Sequence, residues 1–342
     1  MTAPRPDAAP DDAARHDADG VPLATGAPVP APNPDTGADA PADPAAPSAP
    51  NPLLGYAAII FAVAIWAGWI VATRDQVGAF SPLDLSLVRY GLPALILAPI
   101  WLKKGIVPKG EDWRLLAIMT IGWGGGFVML TAKGLETVPA SLFGPMVPAT
   151  LPLFVAIWDR FVEDVRIHAQ RGVGLALILA SIALTLGPGL AGGPPGVLQG
   201  APYLALAAAG WAAFTIAFRR TSLSGLEATA YVCLWSSPFL LIAALIEGTH
   251  LADAAPLTLL WVALSQAVLS GIGAVAGFAY AVRHLGAART SSFTSLVPMG
   301  AAAGGWLFLG EEVGPLGWAA VVFACLGVAA VNGVFAGAFG RR

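Results

Sequence analysis

Residues 53–73 read LLGYAAIIFAVAIWAGWIVAT, 21 positions without a charge. A helix needs about 20 such residues to cross the hydrocarbon core of a bilayer. Nine more runs of this kind follow, near 83–102, 113–132, 138–158, 172–190, 199–218, 226–246, 257–282, 287–309 and 315–336, bounded by charges or Gly/Pro clusters. Their connections are short and leave no room for a soluble domain. The sequence therefore predicts an all-α membrane protein with ten transmembrane helices.

Composition agrees. Charged residues make up 11% of the 342 positions and the apolar set 56%, against about 25% charged in soluble proteins. That excludes a soluble enzyme, a nucleic-acid binder and a disordered regulator. The average hides two unlike parts. Residues 1–50 hold 12 Pro, 15 Ala and 8 Asp, with only Arg5 and Arg15 positive, whereas the chain from residue 51 onward nets +3. The first 50 residues contain no apolar stretch, and their prolines favour extended, unpaired backbone. A secretory signal would need a positive start and an apolar core, so this segment reads as a disordered cytoplasmic tail, a spacer or weak docking segment. Cys233 and Cys325 both fall inside apolar runs, and the four histidines are scattered. No disulfide, metal site or cofactor is expected from them.

Orientation follows from the basic residues in the connections. With residue 51 in the cytoplasm, the inner loops and tail carry thirteen Lys and Arg, and the outer loops only Arg74 and Lys133. One missed or invented helix would flip every later loop and erase that bias, so ten spans with both termini inside is the consistent reading.

Sliding the chain on itself reveals an internal repeat. At an offset of 145, Trp66 meets Trp211, Arg74 meets Arg219, Pro93 meets Pro238 and Gly172 meets Gly317. At 150, Lys133 meets Arg283, Leu135 meets Leu285, Ser141 meets Ser291 and Pro148 meets Pro298. Each copy holds five helices, one over 53–190 and one over 198–336. Five is odd, so the second copy sits upside down relative to the first. Inverted repeats of this kind place a site near the midplane between the two halves. Trp66 and Trp211 each lie about three residues past the centre of their spans, roughly 4–5 Å from the midplane on opposite sides.

These residues carry a family resemblance. Trp66-Ala67-Gly68 in span one, Ser81-Pro82 followed by Arg89 in span two, Ser141 to Pro148 in span four, and Leu309-Gly310-Glu311 leading to Gly317 resemble the ten-helix EamA-type proteins of the drug/metabolite transporter superfamily. The resemblance spans about 53–335. It departs at the first-half counterpart of Glu311, where Asp159, Glu163 and Asp164 all compete. It implies a membrane carrier rather than an enzyme, with a central cavity surrounded by helices one, three, four, six, eight and nine. Trp66, Trp123, Trp211 and Tyr280 are then the wall candidates, beside lipid contact or packing as the alternative for each.

Arg89 lies about 9 Å down span two. A charge at such depth costs roughly 2.5–3.5 kcal/mol on insertion scales. It either anchors an anionic or carboxylate-bearing substrate, snorkels outward, or pairs with Asp84 or Asp75; the resemblance, in which an arginine is common here across different substrates, implies a structural role. The polar residues on the same helices are few: Ser141, Gln266, Ser270, Ser291, Ser292, Thr294 and Ser295. Hydroxyls can satisfy carbonyls of their own helix, but Ser141 and Ser291 gain weight as repeat mates and join the candidate substrate site. Such a cavity suits a neutral or zwitterionic amphipathic solute. No carboxylate sits at a span centre, since Asp84 and Glu227 lie at span starts, so uniport or exchange is expected rather than coupling through a buried acid. Gly122, Gly124, Gly125 and Gly126 in span three and Gly273 with Gly277 in span eight allow close helix approach. Pro145, Pro148 and Pro152 in span four, with Pro298 in span nine, remove backbone hydrogen bonds and mark bending gates or kinked packing.

The resemblance implies an inner-membrane exporter of amino-acid-like metabolites working by alternating access, its partners being a small-molecule substrate and the lipid bilayer. A monomer suffices, and a dimer is compatible. Rival readings are a nucleotide-sugar or drug carrier, and a non-transporting scaffold or enzyme using the loop 159–171. The GxGxxA string at Gly271 lies inside an apolar helix and cannot form a phosphate-binding turn.

Overall fold

The computed structural model describes residues 51–193 and 195–335. The tail expected over 1–50 lies outside the described residues. Among the described residues there are helices and no strands. The helices follow the apolar runs in order: α1 Pro52–Gln76, α2 Pro82–Ile96 continued after a 59° bend by Ala98–Lys104, α3 Trp113–Leu135, α4 Ala140–Phe161, α5 Ala169–Leu190, α6 Gly196–Phe218, α7 Gly225–Glu247, α8 Pro256–Leu285, α9 Arg289–Leu309 and α10 Pro315–Val331. Eight are long and apolar enough to cross a membrane, and α2 makes a ninth if its two parts form one span. α10 is shorter, at 17 residues.

Local chemistry sets the ends. The Asn51 side chain accepts from the amides of Leu53 and Leu54, and Pro52 fills the first turn of α1, where an N–H is not needed. α2 and α7 each open on a capping box, Ser81 with Asp84 and Ser224 with Glu227. Each closes on a glycine at positive φ, Gly105 and Gly248. Each of these three pairs is 143 positions apart. Pro93 and Pro238 match only at 145, so the two prolines stand at different depths in their helices and are not equivalent.

Besides α2, four helices are interrupted. α3 breaks at Gly124, where a Cβ would lie 2.2 Å from the Thr120 carbonyl oxygen and 2.3 Å from the Ser236 hydroxyl. α4 breaks between Met146 and Leu151, at its proline cluster. α9 tightens to a 3₁₀ turn over Thr294–Leu296, just before Pro298. α8 widens into a π-helix over Ala263–Gly273.

Three pairs of repeat mates, α2–α7, α4–α9 and α5–α10, pack side by side and antiparallel. At one end of the α2–α7 pair, the His250 amide beyond α7 donates to Asp84 Oδ1 at the start of α2. At the other, Lys104 at the end of α2 pairs with Glu227 at the start of α7. In the α5–α10 pair, Gln170 donates to the Ala330 carbonyl and Ser181 to the Ala320 carbonyl. In the α4–α9 pair, the amides of Ala140 and Ser141 donate to Glu311, just beyond α9. The remaining pairs also cross between the halves. α1 lies on α8, where a Cβ at Gly277 would sit 3.2 Å from the Ala58 carbonyl oxygen. α3 meets α6, where a Cβ at Gly122 would sit 2.3 Å from the Gly210 carbonyl oxygen. Glycine lets these backbones touch. The two sequence repeats therefore interleave into one body.

Candidate functional site

A cavity of about 280 Å³ lies where the helices converge, at the small end of the usual range for ligand sites. Its walls are aromatic. α1 contributes Trp66 and Trp69, α3 Trp123 and Phe127, α4 Phe143, α6 Trp211 and α8 Phe278. The rings pack on one another across the repeat: Trp66 meets Phe278 with centroids 5.6 Å apart, and its mate Trp211 meets Phe127 at 5.9 Å. Pro148 and Pro298, the proline mates of α4 and α9, also line the cavity. Helices α2 and α10 join the expected six, through Arg89 and through Val328 and Asn332.

Arg89 is buried, at 5% exposure. It neither snorkels nor pairs with Asp84 or Asp75. Its Nη1 donates to the Gln266 carbonyl at 2.7 Å and to the Ser270 hydroxyl at 2.5 Å, both in the π-helical stretch of α8. Irregular backbone at membrane depth requires such internal partners. The guanidinium also lies 5.4 Å from the Trp69 ring. The Asp84 carboxylate is already taken, because Oδ2 accepts from the Ser81 amide and hydroxyl while Oδ1 accepts from His250.

Gln266 is the centre of a buried network that ties α1 to α8. Trp69 Nε1 donates to its Oε1 at 2.6 Å, and its Nε2 donates to Thr73 Oγ1 and Gln76 Oε1. Gln76 in turn donates to Ser265. Leaving any one of these buried groups without a partner would cost about 1–3 kcal/mol.

The expected site residues separate into two groups. Trp66, Arg89, Trp123 and Trp211 meet in the cavity. The other three lie elsewhere. Tyr280 is 41% exposed and packs on His284. Ser141 is buried with its amide on Glu311. The Ser291 hydroxyl donates to the Ala287 carbonyl, and its own carbonyl accepts from Asn332. Trp69, Phe127, Phe143 and Phe278 are lining residues that the sequence reading did not single out for the wall.

Two acids stand at opposite ends of the bundle. Glu311 Oε1 accepts from the Ala140 amide at 2.8 Å and Oε2 from the Ser141 amide at 3.1 Å. Arg74 lies 3.5 Å from Glu311 and donates to the carbonyls of Leu135 and Glu136. The ends of α1, α3, α4 and α9 are thereby tied together. At the other end Asp159, near the close of α4, pairs with Arg171 at 2.6 Å and lies 3.5 Å from Arg219. Arg219 is the repeat mate of Arg74, so Asp159 is the structural counterpart of Glu311. Its Oδ1 is buried and accepts no hydrogen bond among the described residues. Beside it, the Arg220 guanidinium and the Trp158 N–H hold the exposed Glu163 carboxyl below the usual carboxylate range. Among the described residues no group of three or more His, Cys, Asp and Glu gathers to hold a metal.

Residues 53–187 and 198–333 each match the EamA-like transporter family. The chain belongs to that family. Within the drug/metabolite transporter superfamily, this EamA-like chain is similar to the uncharacterized inner membrane transporter YedA of Escherichia coli strain K12, at 27% identity over 282 residues, covering 80% of this chain and 89% of YedA. YedA of Escherichia coli O157:H7 gives the same figures. A protein of known crystal structure shares the fold with a TM-score of 0.56 at 19% identity, over 84% of this chain and 98% of its own.

Proposed function

We propose that this EamA-like transporter is an inner-membrane carrier that exports small neutral or zwitterionic, amino-acid-like metabolites by alternating access. In this reading all ten helices cross the bilayer, as two inverted five-helix repeats with both termini in the cytoplasm. The observation that carries it is the pair of unequal end ties on either side of one central cavity. The antiparallel packing of mate helices α2–α7, α4–α9 and α5–α10 supports the inversion. The 17 residues of α10 rise about 25 Å, short of the hydrocarbon thickness by an amount that local thinning of the bilayer accommodates. The name of YedA supports the inner-membrane location.

Basic residues assign the sides. Arg171 and Arg219 flank Asp159, and Arg160, Arg166 and Arg220 lie in or beside the same connections, which supports a cytoplasmic side for that end. The outer end is closed by Glu311 and Arg74, and the cavity reaches Asn332 at the inner end. In this reading the structure is inward-facing. In the outward-facing state the roles exchange: Asp159 takes the first amides of α9 and Arg219 the carbonyls at the end of α8, as Glu311 and Arg74 do with α4 and α3. The breaks of α4 and α9 at Pro148 and Pro298 are where the bend occurs. Asp84 and Glu227 are consumed as helix caps, which fits uniport or exchange.

Counterflow in proteoliposomes preloaded with mixed amino acids tests the proposal. Exchange of a subset, lost in folded Trp66→Ala and Trp211→Ala variants, is the expected result. Silence across the panel with folded protein removes amino acids as the cargo.

A further inference from the structure

Resting on the carrier reading, we infer that the cavity recognises its solute through a single carboxylate on a flat apolar body, held by Arg89 and indole N–H groups, and that an ammonium group contributes nothing to recognition.

The argument is an inventory of donors and acceptors. Arg89 carries five N–H donors. Nη1 uses its donors on Gln266 and Ser270, and the Tyr90 side chain lies within hydrogen-bonding reach of the guanidinium, which still leaves part of the five-donor set over. Among the described residues no carboxylate pairs with it. The cavity wall therefore holds one positive charge without a counter-ion, in the setting where a charge is most costly. The indole N–H groups of Trp66, Trp123 and Trp211 likewise donate to nothing among the described residues, whereas that of Trp69 is spent on Gln266. On the acceptor side the lining side chains supply only the Asn332 amide oxygen and the Thr294 hydroxyl, and no acid.

Donors outnumber acceptors, and the net charge is +1. A carboxylate supplies the missing charge and accepts from the guanidinium in the paired geometry that arginine favours. A phosphate monoester carries nearly two charges and would need a second cation. An ammonium would find no acid among the lining side chains, and the Arg89 charge on the same wall would repel it. The rings of Phe127, Phe143 and Phe278 fit a flat apolar body.

The experiment is a tryptophan-fluorescence titration of the full chain in nanodiscs with four probes of one shape: 3-phenylpropanoate, 3-phenylpropanamide, phenethylamine and phenylalanine. The expected order is 3-phenylpropanoate at least tenfold tighter than the amide, the amine without effect, and phenylalanine no tighter than 3-phenylpropanoate. In Arg89→Gln the acid and the amide become equal, and in Arg89→Lys part of the preference returns. Because Arg89→Gln also removes the bonds to α8 and can unfold the protein, the wild-type ranking stands as a test by itself. Equal binding of amide or amine to the wild type, an acid preference that survives in folded Arg89→Gln, or no response to any probe overturns the inference. The carrier reading is tested separately. Counterflow of a cationic or uncharged solute without acid binding leaves the carrier standing and sinks this proposal. Acid binding with no flux of any probe does the reverse.

Discussion

Glu311 and Asp159 occupy mated positions at opposite ends of the bundle, and the difference between them is one of completion. Both oxygens of Glu311 accept helix amides, and Arg74 beside it reaches two carbonyls of α3. Asp159 has an arginine on each side and an oxygen that accepts nothing among the described residues. A buried carboxylate oxygen without a donor is costly, of the order of 1–3 kcal/mol or more. Two ends built from equivalent parts cannot both be at their optimum in one conformation. Under the alternating-access proposal, that inequality is the free-energy difference between two packings, which a solute would tip.

The largest effect is expected from Glu311→Ala. It removes two charge-assisted hydrogen bonds worth about 1.5–3 kcal/mol each. Hydrogen exchange at the Ala140 and Ser141 amides should accelerate by roughly 10–100-fold, since about 1.4 kcal/mol is a factor of ten. Unchanged exchange would mean that the Glu311 tie is ornamental. Asp159→Asn comes next. Counterflow should fall about tenfold, while exchange at Ala140 and Ser141 stays at the wild-type rate, because the tie being weakened is not fully made in this state. If exchange rises as in Glu311→Ala, the two ends are not in opposition.

Gly144→Ala acts between the two ends. Its Cβ would lie 2.5 Å from Pro298 Cα, a backbone atom with no room to give. Overpacking of this kind costs about 1–3 kcal/mol, and a thermal melt should show a midpoint lowered by several degrees. Gly68→Ala is the matched control: nothing lies within 4 Å of its added Cβ, and the midpoint should hold or rise slightly. Glu163→Gln should do least. The lowered carboxyl pKa means that its tie to Arg220 is present at neutral pH and lost only as pH falls through that lowered value. The group is solvent-exposed, so melts at pH 7 should coincide with wild type.

Hydropathy made the helices legible, because crossing a bilayer imposes a length that composition reveals directly. Repeat matching then brought out Trp66 and Trp211, and depth brought out Arg89. Facing was harder to read. Phe278 lines the cavity while Tyr280, two positions later and about 200° around an α-helix, points away. The π-helical stretch upstream resets that phase, and an α-helical period read through it misleads. The counterpart of Glu311 was blurred for a different reason. Asp159, Glu163 and Asp164 differ in burial and in the arginines that other helices bring, and neither is written locally. The Gln266 network had no repeat signal at all, since the position 150 residues earlier is Leu116.

The capping acids have a consequence for how the chain is made. Asp84 waits for His250, 166 residues downstream, and Ala140 waits for Glu311, 171 residues downstream. Lys104 and Gln170 wait 123 and 160 residues for their partners. During synthesis the first half leaves the ribosome with these groups unanswered, and its helices must be kept apart from other membrane segments until the second half arrives. Separately expressed halves should therefore be short-lived in the cell and rescue one another when produced together.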